Sequence, residues 1–234
     1  MADKTVLAAL GGGVLGAGLT AAILVAAGPQ LMGERMVRTA MTDHPEILVD
    51  AGEALRRQQL QPVLEQNRGA IETAFFSSAK GASAEEADVV MVEFYDYACG
   101  FCRQTRPDVE KLLAEDPKLR VVYRELPVLG PDSMVAARAS LAASKAGKFD
   151  AFHQAMWAAG RPSEASIDEA LATVGIERSA LQDPEFDAEL QKNFDIANAL
   201  GASGTPLFVI GDTIIPGAES YESYKAAIAK ARDS

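Results

Sequence analysis

"VMVEFYDYACGFC", residues 90–102, holds both cysteines of a 234-residue chain, two residues apart and directly behind an apolar run. Val89 to Phe94 is short, apolar and rich in strand formers, the pattern of a buried strand, with Glu93 as its one charged member. Arg103 to Asp116 then repeats its apolar residues at helical intervals, with Pro107 as a candidate kink. The thiols therefore stand where a strand gives way to a helix. Backbone N–H groups in a helix's first turn lack intrahelical partners and the helix dipole is positive there, so the first sulfur is favoured as thiolate. Cys99 is the expected nucleophile. Cys102, one turn further in, is the expected resolving thiol, which attacks Cys99 in a mixed disulfide.

Two cysteines cannot build a disulfide framework, and a structural zinc site wants four ligands. His44 and His153 lie at no ligand spacing from another donor, so the pair reads as an exchange site that uses neither metal nor cofactor. Glu93, six residues before Cys99, is either a buried acid with a raised pKa, able to act as a base, or an outward-facing carboxylate.

Leu119 to Leu126 reads as a second strand, and Ser133 to about Leu200 as an Ala-rich block of three or four helices. "TPLFVI" and "TIIPGA" flank the turn pair Gly211-Asp212 as a hairpin, and Tyr221 to Arg232 closes the chain as an amphipathic helix. This order predicts an α/β body, 89–232, in which helices pack on a mixed sheet and residues 133–200 are an insertion.

Toward the amino terminus, residues 77–88 are small and polar and read as a linker. Residues 42–76 carry helical apolar spacing on both sides of Pro62 and read as a stalk of two short amphipathic helices. Such helices are unstable alone in water, and self-association through residues 44–76 is one way to bury their stripes. Residues 6–27 are uncharged and long enough, at about 1.5 Å per residue, to cross a bilayer. The first 28 residues are thus an uncleaved membrane anchor, the favoured reading, or a cleaved signal peptide ending near Val25-Ala26-Ala27. Both send the body out of the cytoplasm, to a periplasmic or extracytoplasmic face where disulfides persist. The net charge of −11 is spread along the chain and argues against a nucleic-acid partner.

Strand, Cys99-Gly100-Phe101-Cys102, helix, helical insertion and Gly204-Thr205-Pro206 ahead of a hairpin together resemble the DsbA-like branch of the thioredoxin superfamily, from Val89 to about Arg232. The resemblance implies a thioredoxin fold with an inserted helical subdomain, preceded here by a helical stalk and a single N-terminal apolar helix. It also implies a cis Pro206 beside the cysteines, a Thr205 backbone that pairs with an extended substrate chain, and Glu93 as the acid that helps move the Cys102 proton. Gly100 and Phe101 offer no polar side chain to a thiolate, and Cys-Gly-aromatic-Cys is similar to disulfide isomerases and to the suppressor-of-copper-sensitivity C (ScsC) group, which places a helical oligomerisation segment before its catalytic domain. The expected activity is thiol-disulfide exchange on cysteine-containing exported proteins, isomerisation favoured, with a membrane redox partner resetting the dithiol. A dithiol oxidase and, from another class, a copper-binding or chaperone module are the alternatives.

Overall fold

A computed structural model describes residue 33 and residues 36–233. By its internal contacts the chain divides between residues 56 and 57. Of the first unit, residues 36–43 are helical, and helix α1 (Glu46–Glu72) begins there and ends in the second. The apolar segment 6–27 lies outside the described residues, among which no helix is long and apolar enough to cross a membrane.

Helix α1 corrects the expectation of two helices broken near Pro62, because it runs through that proline without interruption. An interior proline forfeits one hydrogen bond and costs about 3 kcal/mol. Leu64 and Ile71, on the carboxyl-terminal half, are buried to 1 % and 0 % exposure in a cluster with Val92, Phe94, Val122 and Leu207. Burying each such side chain contributes about 1.5–3 kcal/mol, enough together to offset the proline. This half of α1 is therefore part of the body.

A second correction concerns residues 77–88. They are no linker: Ala79–Gly81 forms strand β1, antiparallel to β3 (Leu119–Glu125), with Ala79 opposite Val122. Three residues are too few for a hydrophobic period to show, and what holds them is backbone pairing and side-chain anchoring. The Ser78 hydroxyl donates to Ser144 Oγ at 2.8 Å, and the Tyr123 N–H donates to the Ser78 carbonyl at 2.9 Å. Gly81 has φ +86°, and a Cβ there would lie 2.3 Å from the Leu119 carbonyl oxygen, so only glycine fits this close approach.

The sheet is completed by β2 (Val89–Tyr95), β4 (Leu207–Ile210) and β5 (Thr213–Pro216), in the order β1-β3-β2-β4-β5. β2 lies parallel to β3 and antiparallel to β4, and all but one of its residues are buried. Strand alternation sends Met91, Glu93 and Tyr95 to one face and Val92 and Phe94 to the other. The first face packs in one cluster with α2 (Gly100–Glu115), α3 (Pro131–Lys145), α4 (Phe149–Ala159), α5 (Glu164–Val174) and α7 (Tyr221–Arg232). The second packs against α1 and α6 (Pro184–Ala199).

The same alternation on β3 turns two adjacent charged residues to opposite faces. Arg124 donates to the Ile71 carbonyl at 2.8 Å, the Thr73 carbonyl at 2.7 Å, the Ala70 carbonyl, Glu189 Oε1 at 2.8 Å and Asn193 Oδ1 at 2.6 Å. It thereby satisfies the orphan carbonyls at the end of α1. Glu125 faces the inserted helices instead, where it accepts from Ser140 Oγ at 2.7 Å and Tyr95 Oη at 3.1 Å.

Candidate active site

Cys99 is the N-cap residue of α2, with φ −79° and ψ 119°, so the helix begins at Gly100, three residues before its apolar repeat becomes visible. Its sulfur accepts the Cys102 N–H at 3.5 Å, and as a thiol it donates to the Thr205 carbonyl at 3.2 Å. Both cysteines are free thiols and buried. The Cys99 pKa is lowered from 9.0 to about 5: the Cys102 thiol's hydrogen bond is the largest cause, burial opposes it, and Thr205 and the N–H groups of Cys102 and Phe101 add to it. Cys102 moves the other way, because burial, the hydrogen bond it gives to Cys99 and the nearby Glu93 charge all hold its proton in place.

Glu93 is 4 % exposed, and among the described residues nothing donates a hydrogen bond to its carboxylate. Burial first, then the Cys99 charge, pushes it up to about 8. On the other side of β2, β4 brings in the Thr205–Pro206 peptide, which is cis, and Leu207 pairs with Phe94. Gly100 and Phe101 lie at the open end of the helix, Phe101 62 % exposed. The structure therefore brings together Glu93, Cys99, Cys102, Thr205 and Pro206, with Gly100 and Phe101 at the rim.

Five residues outside the sequence-based set also bear on the site. Asp96, the first residue after β2, accepts backbone N–H groups from both Ala98 and the 128–129 segment. Tyr97 Oη lies 2.9 Å from His153 Nδ1, and the Trp157 indole N–H donates to His153 Nε2 at 2.9 Å. That indole bond fixes Nε2 as the acceptor, so neutral His153 carries its proton on Nδ1 and donates to Tyr97. Burial keeps the imidazole neutral, its pKa well below 6.5. Arg103, next to Cys102, donates to the Trp157 and Gly160 carbonyls at 2.5 and 2.6 Å and stacks its guanidinium over the Trp157 ring. The only sequence signal for these was an Asx residue at a strand end.

Comparison with known proteins gives a consistent picture. The model of the DSBA-like thioredoxin domain matches residues 90–229. A thioredoxin-like oxidoreductase from Silicibacter pomeroyi DSS-3 is 38 % identical, with 67 % of this chain and 92 % of that chain covered at a TM-score of 0.62. The catalytic domain of Proteus mirabilis ScsC is 30 % identical, with 74 % and 99 % covered at a TM-score of 0.68. A curated relative, Na(+)/H(+) antiporter NhaA 3 of Salinispora tropica, is 29 % identical over 62 % of this chain, and the chain spans only 24 % of that relative's length.

Proposed function

The chain belongs to the DSBA-like thioredoxin domain family, and we propose that it is an extracytoplasmic protein thiol-disulfide oxidoreductase that acts through Cys99 and Cys102. The observation that carries this reading is the Cys99 sulfur at the N-cap of α2, 3.2 Å from the Thr205 carbonyl, with a protonated Cys102 behind it. In the exchange, the Cys99 thiolate attacks one sulfur of a substrate disulfide. That S–S bond breaks, a Cys99–substrate disulfide forms, and the other substrate sulfur leaves as thiolate. Cys102 then gives its proton to Glu93 and attacks Cys99, which forms the Cys99–Cys102 disulfide and releases the second substrate thiol. Two electrons pass from the dithiol to the substrate, and the reverse sequence oxidises a client. The Thr205 backbone beside Pro206 pairs with the extended client chain, and Gly100 and Phe101 meet it at the rim.

Isomerisation is the favoured direction. Gly100 and Phe101 bring no polar side chain to the Cys99 thiolate, which supports this direction over a strong oxidase. Isomerisation is also helped when several domains face a shared space. Met36, Val37, Met41, Ile47, Leu48 and Leu55 are large, apolar and exposed, all before residue 56, and this supports self-association of that segment. Residues 57–76 do not share the role expected for 44–76, since Leu64 and Ile71 are buried in the chain's own core. The body's clients are exported cysteine-containing proteins and its reset comes from a membrane redox partner, with residues 6–27 as anchor.

Cys102→Ser is the test, since it removes the resolving thiol. Mixed disulfides with clients through Cys99 are the expected result. Recovering adducts only from Cys99→Ser would reverse the assignment, and a strongly oxidising reduction potential with a mostly oxidised population in cells would replace isomerase by oxidase.

A further inference from the structure

We infer that Asp96 is a positioning residue for exchange at Cys99, tying the turn that carries the nucleophile to the segment 126–130. The inference rests on Cys99 being the attacking thiol.

Asp96 is 2 % exposed and takes four backbone N–H groups from two separate stretches of chain. Its Oδ1 accepts from Ala98 at 2.8 Å and its carbonyl from Cys99 at 2.9 Å, which closes the turn 96–99. Its Oδ2 accepts from Val128 at 2.9 Å and Leu129 at 3.0 Å. The segment they belong to, "LPVLGP" from Leu126 to Pro131, has no donor at Pro127 or Pro131 and is joined to β2 by the Leu126 N–H on the Tyr95 carbonyl at 2.7 Å. Without Asp96, two adjacent N–H groups of that segment lose the acceptor this fold gives them, and because Val128 and Leu129 are exposed, water can take its place and the tie between the segment and the turn is lost. The turn is thus pinned from one side by the Asp96 carboxylate and from the other by the first turn of α2.

The chemistry needs that pinning. Exchange passes through three sulfurs in line, and a displacement of about 1 Å at a reacting atom costs about 10²-fold in rate. Charge gives no competing explanation, because Asp96 is not among the groups that lower the Cys99 pKa. What Asp96 supplies to Cys99 is position.

A positioning role and a merely structural one can be separated. In the full-length reduced protein, Asp96→Ala loses all three side-chain bonds, whereas Asp96→Asn keeps an oxygen for one side of the junction and turns its NH₂ toward the other. The exchange rate with oxidised glutathione is expected to fall about 10- to 100-fold in the Ala variant and less in the Asn variant. The Cys99 titration midpoint, read by thiolate ultraviolet absorbance, is expected to rise in the same order. A rate that holds in either variant overturns the inference, and a midpoint that falls while the rate holds assigns Asp96 to charge and not to position. A lowered melting temperature with midpoint and rate unchanged also overturns it and marks a structural role only. If Asp96→Ala does not fold, Asp96→Asn decides alone by the same readings. Wild-type protein that fails to exchange through Cys99 overturns the underlying assignment instead.

Discussion

Replacing Cys102 by Ala tests the electrostatics of the site, because the Cys102 thiol is the largest single cause of the low Cys99 pKa. A hydrogen bond to a charged group contributes about 1.5–3 kcal/mol net. At about 1.4 kcal/mol per pKa unit, its loss raises the Cys99 pKa by about one to two units, from about 5 to about 6–7. It does not return to 9.0, because Thr205 and the N–H groups of Cys102 and Phe101 stay in place. At pH 5 the thiolate fraction then drops from about half to roughly 1–10 %, which follows from the same shift. The assay is the rate of iodoacetamide alkylation against pH on reduced protein, where Cys102 stays protonated and silent in the wild type. Cys102→Ser, which keeps a donor with a shorter reach, should fall between. A midpoint in Cys102→Ala equal to the wild type's would refute the reasoning and assign the thiolate to the helix terminus alone.

Glu93 and Cys99 give opposite pH slopes. Cys99, with its folded pKa of about 5 below 9.0, contributes stability to the reduced form that is lost as pH falls from 9 through 5. Glu93, raised from 4.5 to about 8, costs stability as pH rises through that window. Between pH 5 and 8, urea melts of the reduced protein should show a more positive stability slope in Glu93→Gln than in the wild type and a more negative one in Cys99→Ser; equal slopes in all three would refute the pairing. Arg124→Ala, which removes the donor of three carbonyls at the end of α1 and leaves Glu189 with Lys192 alone, should cost about 3–5 kcal/mol, on the order of 10 °C by calorimetry. A loss under 1 kcal/mol would mean that α1 does not dock through this residue. Gly81→Ala should destabilise by more than about 1 kcal/mol in the same assay, since both its φ and the Leu119 carbonyl oppose a Cβ, and a neutral result would remove β1 from the folded core.

The active-site strand, the helix behind it and the hairpin were legible in the sequence because each carries an uninterrupted hydrophobic signal. Val89–Tyr95 is apolar enough to be read as buried on both faces, and Gly211-Asp212 marks the turn between β4 and β5. Strand β1 was not legible, since Ala79, Lys80 and Gly81 have no period and are held by partners distant in sequence. The continuity of α1 was missed for a related reason: Pro62 is a local breaker, and what overrules it is tertiary burial of Leu64 and Ile71. At the site, the thiol pair announced itself by spacing. Asp96, Arg103 and His153 did not, because their roles are defined by carbonyls, N–H groups and rings that only the fold brings to them.

The proton inventory of the site bears on why an acid is buried beneath the thiols at all. With both sulfurs reduced at pH 7, Cys99 is ionised while Cys102 and Glu93 hold protons, the Cys99 charge being one of the two causes that raise Glu93. Forming a mixed disulfide removes that charge, since the sulfur bonded to the client is neutral. Glu93 then keeps only its burial penalty, its pKa falls, and a larger share of it ionises. In the exchange proposed above, an ionised Glu93 is the base for Cys102, and the need for it arises at this step and no earlier, because Cys102 attacks only after Cys99 has been captured. On that reading the proton on the buried carboxylate is held more tightly while the nucleophile is free and less tightly once Cys99 is captured, with burial still the larger cause throughout.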